Sequence, residues 1–156
     1  ILKVQEIIKI QEITRVPQTP GYVKGVINLR GRVIAIMDLR MKFSMPEATP
    51  TEKTCIIVVQ ISREGRQVTL GVIVDEVCDV MDIAGSDIEP APSFGTRVRT
   101  DFILGMAKAK QGVKLLLDSD KVLSCDEVVE ISAAVAEAED EPSGSPQDSP
   151  VSAAKG

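Results

Sequence analysis

Hydrophobic positions in the first 131 residues come in short runs that are separated by turn residues. Residues 55–61 form one continuous β-branched run, which predicts a strand buried on both faces, and residues 67–74 return as its partner. Residues 77–83 predict a further short strand. Runs of this length, with turn residues between them at a spacing of roughly ten residues, favour small β-barrels or β-sandwiches.

Helices are predicted in only two places. Val4, Ile7 and Ile8 have the spacing of one helix face, after which residues 8–10 alternate like a strand. A second short helix, followed by a strand, is predicted over residues 120–130. The fold class predicted from the pattern is therefore all-β, with short helices.

Two segments of the chain, residues 22–38 and 102–118, are diverged copies of each other, eighty positions apart. Each copy predicts a β-hairpin, and Gly31 supplies the positive φ that such a turn often requires. A repeat with so long a period indicates duplicated subdomains rather than a solenoid. The sequence therefore predicts two similar small barrels. Aromatic, glycine and aspartate residues keep their offsets in the two copies: Tyr22, Gly25 and Asp38, then Phe102, Gly105 and Asp118.

The composition favours a globular protein without an evident catalytic centre. Of the 156 residues, 44% are hydrophobic, which is enough for a core, and with 3% aromatic residues that core is aliphatic. The three cysteines form no C-x-x-C pair, so we expect reduced, buried and inert thiols in a cytoplasmic protein. The absence of histidine removes the commonest general base and the commonest neutral metal ligand. No apolar run reaches the roughly 18 residues that a membrane span needs.

The net charge of −5 is concentrated at one end of the chain. Residues 133–156 hold five acidic residues and one lysine, and the rest is close to neutral, so the clustered basic face of a nucleic-acid binder is missing. We predict a disordered acidic tail over 132–156, because it has too few large apolar residues to offset its ordering entropy. The first copy is locally basic, which favours an acidic protein surface as partner, at Arg15, Lys24, Arg30, Arg32, Arg40 and Lys42.

Few residues are candidates for catalysis. Asp38 and Asp118 could form a carboxylate pair, but each follows an apolar strand and precedes a turn, which favours an Asx-type turn role. Cys78 has no visible activating partner. We therefore predict no enzymatic activity, with a small enzyme using Asp38, Asp118 or Cys78 as the alternative.

The tip of the first hairpin is a better candidate for binding. It places Asn28 and Arg30 between two apolar strands, and arginine suits planar recognition of a carboxylate and is enriched at interface hot spots. The alternative interpretation is a solvated turn arginine. The second copy has Lys108 and Lys110 at the aligned positions, which keep the charge but not the fork of donors. We infer that the two modules face different partners.

These residues resemble the CheW family of bacterial chemotaxis coupling proteins. The similarity runs in order through residues 1–131 and excludes the tail, and its most specific motifs are I-x-x-V-x-E-I and the N-L-R-G hairpin. The similar stretches are residues 1–7, 13–17, 23–39, 71–77, 87–90, 102–105 and 115–118.

The resemblance implies two SH3-like five-stranded barrels, the first centred on residues 13–60 and the second on residues 74–131. It implies a non-catalytic adaptor without a cofactor. Proteins of this family link the cytoplasmic tip of methyl-accepting receptors to the regulatory domain of the histidine kinase CheA, in arrays at the inner face of the membrane and without inserting into it. We expect an apolar cleft between the barrels to take a receptor helix.

The resemblance also implies a partner-binding surface. The receptor-facing surface of the family includes the positions of Val4, Glu6, Gly25, Asn28 and Arg30, and the rest of the hairpin tip adds Leu29 and Gly31. The opposite charges of Glu6 and Arg30 predict an ion pair between the N-terminal helix and the hairpin.

Two expectations follow from how the chain departs from the family. Members ordinarily carry roughly 30 residues, including two strands, before the position of Ile1. Without them we expect an open sheet edge and poor solubility. An alternative identity is a fragment of the kinase regulatory domain, or of the coupling domain of a larger signalling protein.

Overall fold

The computed structural model describes residues 3–63, 65–91, 101–109, 112–123 and 130–131. Most of its regular structure is β-strand, as the hydrophobic pattern predicts. The elements are β1 (Lys3–Lys9), β2 (Val23–Leu29), β3 (Arg32–Asp38), α1 (Leu39–Lys42), β4 (Cys55–Arg63), β5 (Arg66–Val74), a 3-10 turn (Gly85–Asp87), β6 (Ile88–Glu89), β7 (Ile103–Ala109), β8 (Gly112–Leu117) and α2 (Ser119–Leu123). The predicted tail lies outside the described residues.

The larger sheet has five strands in the order β1-β4-β5-β3-β2. Its neighbours are antiparallel except for β3 and β5, which are parallel. The predicted strands over residues 55–61 and 67–74 are confirmed as β4 and β5, and the first predicted hairpin is confirmed as β2 and β3.

The smaller sheet has the order β6-β7-β8, and β7 and β8 confirm the second predicted hairpin. The helix α2 follows β8 and confirms the start of the helix predicted over residues 120–130. The strand predicted after that helix falls largely on residues 124–129, which are outside the described part of the chain.

The two hairpins share the same local geometry, eighty positions apart. The strand register shifts between Val23 and Gly25 in the first and between Ile103 and Gly105 in the second. Each hairpin is closed by the same backbone hydrogen bond. The N–H of Asp38 donates to the carbonyl oxygen of Tyr22 at 2.8 Å, and the N–H of Asp118 donates to that of Phe102 at 2.7 Å. The sequence duplication is therefore visible as a repeated hairpin unit.

Apolar side chains cover both faces of the larger sheet. One face carries a cluster that includes Met37, Val59 and Leu70, and it continues onto Val122 and Leu123 of α2. The opposite face carries a separate cluster of β-branched and aliphatic residues: Ile27, Ile34, Ile36, Ile56 and Val58. Because α2 contributes to the first cluster, the two hairpin units share one core.

Two closed barrels are not confirmed. A barrel requires the edge strands of its sheet to pair, and in the described residues β1 and β2 lie at opposite edges of the larger sheet without pairing. The smaller sheet has three strands in the described residues.

The predicted N-terminal helix is wrong, because the residues form the edge strand β1, antiparallel to β4. The register shifts between Val4 and Glu6, so Val4 pairs with Val59 and Ile7 pairs with Ile57. Both partners belong to the same face of the sheet. A β-bulge therefore places apolar residues three positions apart on one face, which is the spacing of a helix.

The predicted strand over residues 77–83 is also wrong, because this segment has no regular secondary structure. Its apolar side chains have little cover: Val80 is 91% exposed and Met81 is 49% exposed. A strand needs a neighbour for its backbone hydrogen bonds, and no described strand pairs with this segment.

Candidate functional site

The tip of the first hairpin is a two-residue turn formed by Arg30 and Gly31, with φ angles of 54° and 84°. Positive φ at both positions is the signature of a type I′ turn, which matches the twist of the flanking strands. The backbone N–H of Gly31 donates to Oδ1 of Asn28 at 2.8 Å. Asn28 therefore stabilises the turn that holds Arg30 in the left-handed region.

Arg30 and Glu6 form a bidentate ion pair. The Nη1 and Nη2 atoms of Arg30 donate to Oε1 and Oε2 of Glu6, each at 2.7 Å. The predicted ion pair is thus confirmed, although Glu6 lies on a strand rather than a helix. Glu6 is on the edge strand β1, and Arg30 joins β3 to the opposite edge strand β2, so the sheet must curl to bring the two side chains together.

Val4 lies on the other face of the sheet. It pairs with Val59, whereas Glu6 pairs with Val58, and these two neighbours face opposite sides of β4. The side chain of Val4 is 59% exposed. The bulge between Val4 and Glu6 therefore divides the predicted partner-binding residues between two faces, whereas regular alternation would have kept both on one face.

An apolar cleft of about 170 Å³ lies on the Val4 face, between the larger sheet and α2. The sequence did not predict that α2 and β8 line this cleft, because the residues of these two elements do not show which strands of the larger sheet they pack against. The hydrophobic pair at residues 122 and 123 was the only available signal. The residues lining the cleft are Val4, Leu39, Ile57, Val59, Val72, Val74, Leu117, Ser119, Val122 and Leu123.

Gly25 and Leu29 lie on the protein side of the hairpin, not on its solvent-exposed surface. Gly25 is buried with φ 138°, and a Cβ atom there would lie 2.0 Å from the carbonyl oxygen of Thr14. Thr14 exchanges two backbone hydrogen bonds with Val26, at 2.8 and 2.9 Å. Leu29 is half-buried against the cluster around Ile27. Both residues support the hairpin from within.

The two candidate catalytic aspartates cap short helices. Oδ1 of Asp38 accepts hydrogen bonds from the backbone N–H groups of Arg40 and Met41, at 2.8 and 3.3 Å. Oδ1 of Asp118 accepts from those of Asp120 and Lys121, at 3.1 and 3.2 Å. The hydrogen bond from the Lys121 backbone lowers the pKa of Asp118 below its ordinary value. The turn interpretation of both residues is confirmed.

The cysteines differ from the prediction that all are buried. Cys78 is exposed, and its Sγ lies 3.5 Å from Oε1 of Glu76, while Cys55 is half-buried. Cys78 is exposed because it belongs to the irregular segment after β5. Cys125 lies outside the described residues. Within the described part of the chain, no cluster of three or more potential metal ligands is found, and no helix is long and apolar enough to cross a membrane.

Comparison with known proteins agrees with this architecture. The profile of the CheW-like domain matches residues 1–144. The chain belongs to the CheW-like family. Chemotaxis protein CheW of Klebsiella aerogenes is 38% identical over 128 residues, which are 82% of this chain and 75% of that protein. CheW of Bacillus subtilis is also 38% identical, over 79% of this chain and 76% of the relative.

Two further relatives extend the comparison. Protein FrzA of Myxococcus xanthus is 31% identical over 77% of this chain and 73% of that protein. The crystal structure of the scaffolding protein TtCheW from Thermoanaerobacter tengcongensis superposes with a TM-score of 0.64 at 31% identity, over 80% of this chain and 82% of that one. The CheW-like fold is therefore shared along most of both chains.

We expect Asn28→Ala to destabilise the folded protein by about 1 kcal/mol, because the turn loses one hydrogen bond and Arg30 loses its support in the left-handed region. Urea unfolding followed by circular dichroism measures the change. Asn28→Asp keeps an acceptor oxygen at the same place and should retain most of the stability. Equal losses in the two variants would show that the Gly31 hydrogen bond does not hold the turn.

Proposed function

We propose that this chain is a non-catalytic chemotaxis adaptor that couples methyl-accepting receptors to the histidine kinase CheA. The observation that carries the proposal is the hairpin tip of a CheW-like domain, in which Arg30 is held in a defined position by Glu6 and by the turn that Asn28 stabilises. The similarity to chemotaxis proteins CheW and to a scaffolding protein supports an adaptor role.

The receptor contact is assigned to two features, which lie on opposite faces of the larger sheet. The apolar cleft beside Val4 suits the apolar face of an amphipathic helix, which docks through side chains repeating every three or four residues. The hairpin tip provides polar recognition, since the side chain of Arg30 is 74% exposed even while paired with Glu6. The remaining predicted positions, Gly25, Leu29 and Gly31, contribute by shaping the hairpin.

Coupling is then geometric. One surface holds the receptor tip and another holds the kinase regulatory domain, so a receptor change that favours one orientation shifts the population of kinase states. The chain works in the cytoplasm, within receptor arrays, and uses no cofactor. The carboxylates of Asp38 and Asp118 support the absence of catalysis, because both accept hydrogen bonds from helix N–H groups. The family's two SH3-like barrels remain part of this proposal.

A co-sedimentation assay tests the proposal. Receptor-containing membranes are pelleted with CheA in the presence and absence of the full chain, and the bound kinase is quantified. We expect kinase recruitment to depend on the chain and to fall tenfold or more in Arg30→Ala, a loss typical of an interface hot spot. Arg32→Ala is the matched control, since Arg32 is an exposed arginine on the same hairpin.

A double-mutant cycle with Glu6→Ala and Arg30→Ala separates positioning from direct contact. If Glu6 acts by orienting Arg30, the two losses of recruitment are not additive, and the double variant resembles Arg30→Ala. Additive losses would remove the ion pair from the mechanism. If the amount of CheA that pellets with the receptor membranes is the same with and without the chain, the coupling proposal is overturned.

A further inference from the structure

A second cavity, of about 480 Å³, lies beside the first hairpin and away from both the apolar cleft and the Arg30 turn. The loop at residues 15–21 forms one wall, and Lys24, Met41 and Glu47 form the other. None of these residues lines the apolar cleft. Its volume falls in the range of cavities that hold small ligands.

Two cations, Lys24 and Arg15, line this cavity together with the carboxylate of Glu47. Nζ of Lys24 forms an ion pair with Oε1 of Glu47. The hydrogen bond and charge of Lys24, with a smaller contribution from the charge of Arg15, hold the pKa of Glu47 below its ordinary value. The side chain of Lys24 is 23% exposed, whereas that of Glu47 is 62% exposed. The lysine is therefore the fixed member of the pair, and the glutamate is the replaceable one.

The rest of the lining mixes polar and apolar residues, and two hydrogen bonds brace its loop. Oγ1 of Thr19 donates to the carbonyl oxygen of Val16 at 2.9 Å, and the N–H of Val23 donates to that of Pro20 at 2.9 Å. These bonds hold the loop in place without any ligand. The apolar lining consists of Val16, Pro17, Pro20, Val23 and Met41.

Glu47 is in the loop between α1 and β4, a stretch without helix or strand. Its side chain can therefore move away from Lys24 without breaking the backbone hydrogen bonds of a helix or strand. A carboxylate from another molecule would meet the same two cations, and its neighbouring apolar group would meet the cavity lining.

We propose that this cavity binds an acidic peptide segment of a partner protein, in which an aspartate or glutamate lies next to an aliphatic residue. The incoming carboxylate takes the place of Glu47 on Lys24 and Arg15, and the aliphatic side chain enters the cavity. Glu47 is then a built-in competitor that sets the affinity. The inference does not depend on the coupling proposal, because its site and its test involve neither receptor nor kinase.

The test is a titration of the ¹⁵N-labelled full chain with the peptide acetyl-Ala-Leu-Glu-Leu-Ala-amide, followed by amide chemical shifts. We expect shifts at residues 15–24 and about a tenfold tighter dissociation constant in Glu47→Gln, because the competing carboxylate is gone. Arg15→Gln, at an exposed position, should weaken binding. Glu76→Gln is the matched control, since Glu76 pairs with Lys53 at 2.9 Å and lines neither the cavity nor the cleft.

Three results would overturn the proposal. The first is an absence of shifts in Glu47→Gln at millimolar peptide. The second is equal binding of a peptide with glutamine in place of glutamate. The third result concerns acidic residues of the chain itself and is measured without peptide, in the Glu47→Gln variant. If replacing these acidic residues by their amides moves the amide signals of residues 15–24, the cavity binds a segment of this chain and not a partner. The residues replaced are Glu137, Glu139, Asp140 and Glu141.

Discussion

Gly25→Ala should destabilise the protein by roughly 3 kcal/mol or more, enough to remove much of the stability of an ordinary small domain. The new Cβ atom would lie 2.0 Å from the carbonyl oxygen of Thr14, and the backbone is held at φ 138°. Relief requires Thr14 to move away, which breaks the two hydrogen bonds that it exchanges with Val26. Both strain and lost hydrogen bonds therefore contribute.

Gly31→Ala separates these causes. Gly31 also has a positive φ, of 84°, but a Cβ atom there meets nothing within 4 Å. We expect a loss of only about 1 kcal/mol from the backbone conformation alone. Urea unfolding of both variants, followed by circular dichroism, gives the comparison. Equal destabilisation would mean that the contact with Thr14 relaxes at little cost and that Gly25 is not a packing requirement.

Val4→Asp should reduce co-sedimentation of the chain with receptor membranes tenfold or more, while leaving the fold intact. Val4 lines the apolar cleft, so a carboxylate there would have to lose its water when a helix docks. A tenfold loss corresponds to about 1.4 kcal/mol of binding free energy. The side chain is 59% exposed, so the unbound protein can keep the charge hydrated.

Ile7→Asp is the matched control for this variant. Ile7 is on the same strand and faces the same side of the sheet, and its 52% exposure is similar, but it does not line the cleft. We expect Ile7→Asp to bind receptor membranes nearly as well as the unaltered chain. If both variants lose binding equally, the whole outer face of β1 is the contact. If neither does, the cleft is not the receptor site.

Local chemistry explains which parts of the fold were predictable. The turn at Gly31 and the caps at Asp38 and Asp118 depend on residues within three positions, so their roles could be read from the chain. The run at residues 55–61 also needed no distant information, because a β-branched stretch of that length suits a strand buried on both faces.

The failures share a different cause. The helix predicted for Val4, Ile7 and Ile8 was wrong because a bulge in β1 imitates helical spacing, and the bulge exists only in register with β4. The strand predicted over residues 77–83 was wrong because a hydrophobic run becomes a strand only where a partner strand is available. In both cases the prediction needed to know which strand lies beside the segment, and the local sequence does not show this.

In the candidate site, too, some features follow from the local sequence and others depend on neighbouring elements. By itself, the sequence determined the two hairpins of the duplication and their glycine and aspartate positions, since these follow from residue type and short spacing. The ion pair of Glu6 with Arg30 was implied by the family resemblance and needs the curl of the larger sheet. Only the tertiary structure decided that Val4 and Glu6 lie on opposite faces and that α2 closes an apolar cleft beside Val4. The physical reason is that the face of a strand is set by its register against another strand, and a cleft by two elements that meet across the core.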